Sequence, residues 1–489
     1  MNISQAKEEI KNTVLAYTAK TGVGTYRIPP ARQRPVLLMG PPGIGKTAIM
    51  EQIAGELSIG LVSYTMTHHT RQSALGLPMI EKRVFAGETY SVTEYTMSEI
   101  IASVYRQIEE AGFREGILFL DEINCVSETL LPAILCFLQY KIFGSHKLPE
   151  GWIIAAAGNP VKYNQSARDF GTAILDRLKV IHIDIDFEVW KAYARSRNLH
   201  PLILSYLNLK PEHFYAVDAG PRGRSFITAR GWEDLSEMIL GFESLDIPAE
   251  ESLFRQYIQH DEIVREFAIF FDLNRRLKQK YRIDEIPETG AVIPELKTAR
   301  FDERLCVMQF LLHRLNTLAG GWAAREAEQN SLGYFINGLA AYRGDFWEFA
   351  GERVRAREKA LETKRRLGLL RPGEEEGELL FLRLIKTCLA QVQAEGAEDP
   401  PERLRALAAG RDAEQADAGR ALERALVNCF NFARGSFGKS QELVIFLTEL
   451  RSFESAARFI KTRLPELYAE TEALLDLKGR EDELRSCLP

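Results

Sequence analysis

The chain has 489 residues, of which 46% are apolar, and it carries a formal net charge of −6. This length exceeds what one compact domain usually holds, so we expect two or three domains. The acidic balance weighs against a protein whose main role is to coat nucleic acid. The charged N-terminal segment has no signal-peptide core and no apolar run approaches membrane-spanning length, which predicts a soluble, cytoplasmic protein.

The first 185 residues alternate between short apolar strands and helical segments, which predicts an α/β fold with a parallel sheet and crossover helices. The predicted strands cover residues 35–39, 60–65, 117–120, 152–157 and 180–185. The predicted helices cover residues 4–19, 47–57, 98–110 and 128–138. Two inserted hairpins are expected, one within residues 71–96 that turns at Gly87 and one over residues 141–148 that turns at Gly144.

After Phe187 the pattern becomes helical and we expect it to stay helical to the end of the chain. Breaks in this pattern near residues 286–294, 371–377 and 396–401 suggest further boundaries. We therefore expect an α/β core over residues 1–195, a helical lid over 196–285 and a helical C-terminal region over 286–489.

The most specific motif follows the first strand and fits the phosphate-loop pattern GxxxxGK[ST]. The expected nucleotide-binding residues are Gly40, Pro41, Pro42, Gly43, Ile44, Gly45, Lys46, Thr47 and Ala48. Glycines let backbone N–H groups curl around phosphates, Lys46 can reach the outer phosphates and the Thr47 hydroxyl can bind Mg²⁺. A strand before the loop and a helix after it are the context that this motif requires.

Two later strands end in polar side chains at the edge where parallel sheets bind ligands. In the segment GILFLDEIN, Asp121 can hold the Mg²⁺ shell, and Glu122 can orient and deprotonate an attacking water. In AAAGNP, the Asn159 carboxamide can hydrogen-bond that water or the outermost phosphate. Each feature alone is weak, since acids can simply solvate a strand end and Asn-Pro usually marks a turn. Their order after a phosphate loop makes them candidate catalytic residues.

Three arginines are candidates for contacts with phosphate. Arg177, in ILDRL, can neutralise charge that develops during phosphoryl transfer, or it can form an ordinary surface ion pair. Arg168 is a weaker candidate for the same role. Arg230, in TARGWEDLS, opens a predicted helix, where it can contact phosphate or stack on Trp232.

These pieces, in this order, resemble the AAA+ ATPases. The resemblance makes GPPGIGKT the Walker A motif and LFLDE the Walker B motif. It makes Asn159 sensor 1, Arg177 the arginine finger and Arg230 sensor 2. The insertion at residues 71–96, the hairpin KIFGSHKL and the phrases TARGWEDLSE and FDERL resemble the MoxR branch, which has a dynein-related AAA domain. The resemblance covers about the first 310 residues; the later part is matched only loosely, through FGKSQELVIFLTEL.

The resemblance implies ATP and Mg²⁺ as cofactors and a homo-oligomeric ring, often a hexamer. It also implies remodelling or maturation of a protein substrate, and a partner with a von Willebrand factor A domain. In a ring, Arg177 would complete the neighbouring subunit's site. Whether Arg230 acts on its own subunit's nucleotide or on a neighbour's is left open.

Two other functions remain compatible with the sequence. A nucleic-acid-stimulated motor would use the basic run at residues 353–366, although such runs are usually solvated helix faces with i,i+4 pairs. A nucleotide-gated scaffold would bind its partner in the ATP state and hydrolyse slowly. Phe85 and Tyr90 in the first hairpin either contact substrate in a ring pore or pack on the subunit's own core.

Overall fold

The structure is a computed structural model that describes residues 1–68, 74–144, 146–164, 166–220, 223–340, 344–366, 370, 374–438 and 440–474. Contacts divide it into two compact units. The first comprises Met1–Val189 with Arg357–Glu375, and the second comprises Trp190–Ala356 with the described residues from Glu376 onward. The expected division into core, lid and C-terminal region stays a prediction.

The first unit alternates strands and helices, as the sequence predicts. Its elements in chain order are α1 (Ile3–Thr18), β1 (Val36–Met39), α2 (Lys46–Leu57), β2 (Gly60–Thr65), β3 (Pro78–Phe85), β4 (Glu88–Tyr95), α3 (Glu99–Ala111), β5 (Gly116–Asp121), α4 (Leu131–Tyr140), β6 (Ile142–Phe143), β7 (His146–Lys147), β8 (Trp152–Gly158), α5 (Thr172–Leu175) and β9 (Lys179–His182).

Five of these strands form a parallel sheet in the order β2-β5-β8-β1-β9. Successive side chains of a strand point to opposite faces, so β1 contributes Leu37 to one hydrophobic core and Leu38 to the other. The helices α1 and α2 cover the Leu38 face, and α3 and α4 cover the Leu37 face. The predicted α/β fold, a parallel sheet with flanking helices, is confirmed.

The register of the sheet brings the carboxyl ends of its strands to one edge. Met39 at the end of β1 pairs with Gly158 at the end of β8, and Thr65 at the end of β2 pairs with Asp121 at the end of β5. The segments that follow these four strands therefore meet at this edge, which is where open parallel sheets bind ligands.

The inserted β3–β4 hairpin is longer than its predicted core, with eight residues in each strand. Its turn residues Ala86 and Gly87 have φ angles of 53° and 89°, the left-handed pair that a two-residue hairpin turn needs. Both faces are largely exposed, and Phe85 and Tyr90 are 53% and 50% exposed. Neither ring packs into the subunit's own core. Residues 71–73 of the predicted insertion, and Ser145 in the second hairpin, lie outside the described residues.

From Phe187 onward the chain is mainly helical. Its elements are α6 (Phe187–Ser196), α7 (Pro201–Leu209), β10 (Ala216–Gly220), β11 (Gly223–Ile227), α8 (Ala229–Ser244), α9 (Glu251–Tyr257), α10 (Asp261–Lys280), α11 (Ile286–Thr289), α12 (Phe301–Ala340), α13 (Phe346–Arg366), α14 (Glu374–Ala394), α15 (Pro400–Gly410), α16 (Asp412–Phe437), α17 (Gln441–Ser452) and α18 (Glu454–Arg463).

The expectation that this part is helical throughout is wrong at one place. Strands β10 and β11 pair antiparallel, and Phe226 also forms a bridge with Gln259. These strands are short and contain Gly, Ala and Asp, which have low strand propensity, so pairing with distant backbone decides their conformation. Among the described residues, no helix combines the length and the apolar character that crossing a membrane requires.

Candidate nucleotide-binding site

The phosphate loop lies between β1 and α2, at the carboxyl edge of the sheet. The Gly40 N–H donates to the Gly158 carbonyl oxygen at 3.3 Å, which joins the start of the loop to the end of β8. A Cβ on Gly40 would lie 3.0 Å from both Ile183 and Ile44, so a side chain there would require these neighbours to shift. Gly45 has a φ of 92° immediately before α2 begins at Lys46. Only glycine adopts this conformation without strain.

The Lys46 side chain is buried and joins the loop to the neighbouring strand end. Its Nζ donates to the carbonyl oxygens of Gly40 at 2.9 Å and Pro41 at 2.7 Å, and to Asn159 Oδ1 at 2.8 Å. Lys46 is 8% exposed and Asn159 is 9% exposed. The candidate phosphate-binding lysine and the candidate sensor side chain are therefore in direct contact.

Thr47 and Asp121 form a second contact at the same edge. Thr47 Oγ1 donates to Asp121 Oδ2 at 2.8 Å, and Asp121 Oδ1 accepts from the Glu122 N–H at 2.8 Å. A hydroxyl and a carboxylate oxygen side by side are the donor types that Mg²⁺ prefers, so these residues fit that ion. Within the described residues, no group of three or more His, Cys, Asp or Glu side chains could hold a metal. A Mg²⁺ ion here would therefore complete its shell with water and nucleotide oxygens.

Glu122 follows Asp121 with φ 53° and ψ 36°, a left-handed conformation that costs a non-glycine residue about 1–2 kcal/mol. Its Oε2 accepts a hydrogen bond from Thr67 Oγ1 at 2.9 Å. Thr67, which lies two residues beyond the Thr65 position that pairs with Asp121, is not among the site residues predicted from the sequence. The sequence does contain a signal for this residue, namely a polar side chain just past β2. The ends of parallel strands converge at one edge, so such a residue lies near Asp121 and Glu122.

Asn124 is a second residue at this edge that is not among the predicted site residues. Its buried side chain contacts the backbone of Asn159 and of Arg168. The sequence DEIN alone does not distinguish an asparagine that makes such contacts from an asparagine in a polar turn.

The Cys125 thiol lies beside the acidic pair, and Asn164 Nδ2 is 3.2 Å from its Sγ. Burial, followed by the negative charges of Glu122 and Asp121, raises the pKa of this thiol. The thiol therefore stays protonated near neutral pH and is a poor nucleophile.

The side chains of the candidate arginines Arg168 and Arg177 contact other residues of the first unit. Arg177 is exposed and its guanidinium donates to Gln139 Oε1 on α4. Arg168 forms an ion pair with Glu128 at 2.9 Å. Arg230 is exposed at the second position of α8 in the other unit. Trp232, by contrast, is fully buried and donates to the His213 carbonyl oxygen at 3.2 Å.

Comparison with known protein families matches residues 36–132 to the ATPase family associated with various cellular activities (AAA). The matched segment runs from β1 to the first turn of α4, so it contains the phosphate loop, Asp121 and Glu122. A search of curated proteins finds no match. The fold and this match define an AAA ATPase domain within the chain.

Proposed function

We propose that this chain hydrolyses ATP as a MoxR-type AAA+ protein and couples hydrolysis to the remodelling or maturation of a protein partner. The observation that carries the proposal is the convergence of four side chains at one sheet edge. Lys46 contacts Asn159, and Thr47 contacts Asp121. Phosphoryl transfer depends mainly on positioning and charge compensation, which such a convergence supplies.

The phosphate-binding part of the site is the loop itself. The backbone N–H groups of residues 40–48 and the Lys46 ammonium bind phosphate oxygens, and the start of α2 adds the positive end of the helix dipole. Thr47 and Asp121 hold Mg²⁺, which supplies further neutralisation of phosphate charge when it is bound. Because Lys46 already donates to loop carbonyls, a phosphate oxygen would take the place of one of these acceptors.

The hydrolytic part of the site consists of Glu122 and Asn159. Glu122 orients the attacking water and accepts its proton, and Thr67 holds the carboxylate through a hydrogen bond. Asn159 distinguishes ATP from ADP by a contact with the outermost phosphate. Its contact with Lys46, the proposed phosphate-binding lysine, supports this role.

Assembly is the third element of the proposal. Arg177 is exposed, and in a ring of identical subunits it would complete the site of a neighbour. A hexamer, a partner with a von Willebrand factor A domain and a role for Arg230 in sensing nucleotide follow from the resemblance to the MoxR branch. A subunit alone would then be nearly inactive.

The basic run in α13 gives little support to a nucleic-acid motor. Lys364 pairs with Glu374 at 2.7 Å and Arg366 pairs with Glu110 at 2.6 Å. These pairs favour the interpretation of the run as a solvated helix face.

The test is the substitution Glu122→Gln, with the exposed Glu109→Gln on α3 as the matched control. We expect Glu122→Gln to bind ATP with unchanged affinity and to lose turnover by at least about 100-fold, since a general base contributes that much. The control should hydrolyse ATP at the wild-type rate. Normal hydrolysis by Glu122→Gln would refute the assignment.

The nucleic-acid motor is tested separately, by the ATPase rate with and without DNA or RNA. Stimulation by nucleic acid that fades steeply with increasing salt would favour the motor instead.

A further inference from the structure

The Asn124 side chain makes a set of backbone contacts across the carboxyl edge of the sheet. It is 1% exposed and lies in a short turn, Ile123–Cys125, directly after Glu122. Its Nδ2 donates to the Asn159 carbonyl oxygen at 2.8 Å, and its Oδ1 accepts from the Asn159 N–H at 3.3 Å. Both ends of the carboxamide are therefore engaged by the backbone of one residue.

These two bonds continue the sheet beyond its last backbone pair. The ladder between β5 and β8 ends where Leu120 pairs with Ala156, three residues before Asn159. The Asn124 carboxamide presents one N–H donor and one C=O acceptor to the backbone of Asn159. The backbone of a further residue in the neighbouring strand would offer the same two groups. A Cβ on Gly158 would lie 2.6 Å from Asn124 Oδ1, so the glycine permits this close approach.

Asn124 also holds the segment that follows Asn159. Its Nδ2 lies 3.3 Å from the Arg168 carbonyl oxygen, and the Arg168 N–H donates to the Asn124 carbonyl oxygen at 2.9 Å. The chain between Asn159 and Arg168 is thus tied at both ends to the turn after Glu122.

We infer that Asn124 is a positioning residue for hydrolysis, acting through Asn159. This inference rests on the proposed ATPase function. The Asn159 carboxamide touches Lys46 Nζ at 2.8 Å, and its backbone is held by Asn124. Without Asn124, the Asn159 carboxamide loses the backbone support that aims it at the outermost phosphate. A displacement of about 1 Å in such a group costs about 100-fold in rate.

The test is Asn124→Asp, which keeps the shape and the acceptor but removes both Nδ2 donor contacts. The matched control is Asn164→Asp, whose Nδ2 contacts the Cys125 sulfur rather than Asn159. We expect Asn124→Asp to lower kcat at least about tenfold while the KM for ATP stays within about threefold, because the loop and Lys46 are retained. The control should keep both constants within about twofold of the wild type.

A double substitution separates positioning from a general loss of structure. If Asn124 acts through Asn159, Asn124→Asp should lower kcat far less in an Asn159→Ala background than in the wild type. Full multiplication of the two effects would overturn the inference, as would a wild-type kcat in Asn124→Asp. Should Asn124→Asp melt below the assay temperature, Asn124→Ser replaces it, since serine also removes the amide donor.

Equilibrium binding keeps this inference apart from the proposed function. The ratio of ATP to ADP affinity, measured by calorimetry on each protein, should shift in Asn124→Asp towards the ratio found for Asn159→Ala. An unchanged ratio would overturn the role of Asn124 whatever the turnover. Absence of turnover in the wild type would instead refute the proposed function and leave the binding comparison as the decisive test of Asn124.

Discussion

Replacing Lys141 by methionine is expected to stabilise the first unit at neutral pH. Lys141 directly follows α4, is 7% exposed and has a φ of 56°. Its Nζ donates to Gln33 Oε1 at 3.1 Å. Burial, and secondarily the charge of Lys147, lowers the pKa of this lysine to about 8. Methionine has a similar length and no charge, so it should fill the same space without the free-energy cost of burying a charged group.

The sign and size of the effect follow from the two pKa values of Lys141. In the unfolded chain the pKa is 10.5, so the folded value of about 8 disfavours the charged form by about 3 kcal/mol. Below pH 8 the lysine is protonated in both states and this cost is fully present. Between pH 8 and 10.5 the unfolded chain binds more protons, so wild-type stability rises with pH; above 10.5 the cost is gone.

Two losses reduce the gain from methionine. Gln33 Oε1 loses the hydrogen bond that Lys141 donates, which costs about 1 kcal/mol of stability. The substitution also removes the favourable interaction of the Lys141 charge with the helix dipole at the C-terminal end of α4, which costs about 0.5 kcal/mol of stability. The net stabilisation at pH 7 is therefore about 1–2 kcal/mol, and it should vanish or reverse by pH 10.

Amide hydrogen exchange of the buried strands β5 and β8 measures unfolding of the first unit directly. We expect slower exchange in Lys141→Met than in the wild type at pH 7, and the difference between the two proteins should shrink to zero near pH 10. The exposed Lys82→Met serves as a control for loss of a surface charge. A variant that is less stable at pH 7, or a difference that does not depend on pH, would show that burial of the Lys141 charge does not destabilise the first unit.

Two further predictions concern exposed residues. Tyr90→Ala in the β3–β4 hairpin should reduce partner remodelling about tenfold while basal ATPase stays within about twofold, because the ring is half exposed and outside the hydrophobic core. Paired assays of both activities check this, with Tyr140→Ala on α4 as control; equal loss of both activities in Tyr90→Ala would contradict it. Arg177→Ala should lower ATPase at least about 100-fold, since an arginine of this kind neutralises transition-state charge. Mixing Arg177→Ala with Glu122→Gln subunits should restore turnover if the arginine acts in a neighbour's site, and mixtures as inactive as the two parents would exclude that arrangement.

The core of the candidate site could be predicted because its parts are local in the sequence. The phosphate loop is a continuous run of eight residues, and its conformation depends on its own glycines and on the strand and helix at its two ends. Asp121 and Asn159 are candidates because each lies at the end of a buried strand, and parallel strands end at a common edge. The contacts of Lys46 with Asn159 and of Thr47 with Asp121 agree with that reasoning.

The arrangement of residues outside the loop depended on pairings that single-sequence patterns do not encode. The β10–β11 hairpin was missed because its strands have little intrinsic strand propensity. The degree to which the β3–β4 hairpin is exposed also depended on the fold, since an alternating pattern predicts a strand but not what covers its faces.

The order of residues along the chain is thus enough to predict the α/β core and a phosphate loop followed by acids and an amide at successive strand ends. The side chains that support this chemistry are known only from the folded chain. Thr67 reaches Glu122 across 55 positions of the chain, and Asn124 reaches Asn159 across 35. Such contacts depend on strand order and register, which are set by packing over the whole sheet rather than by the residues nearby.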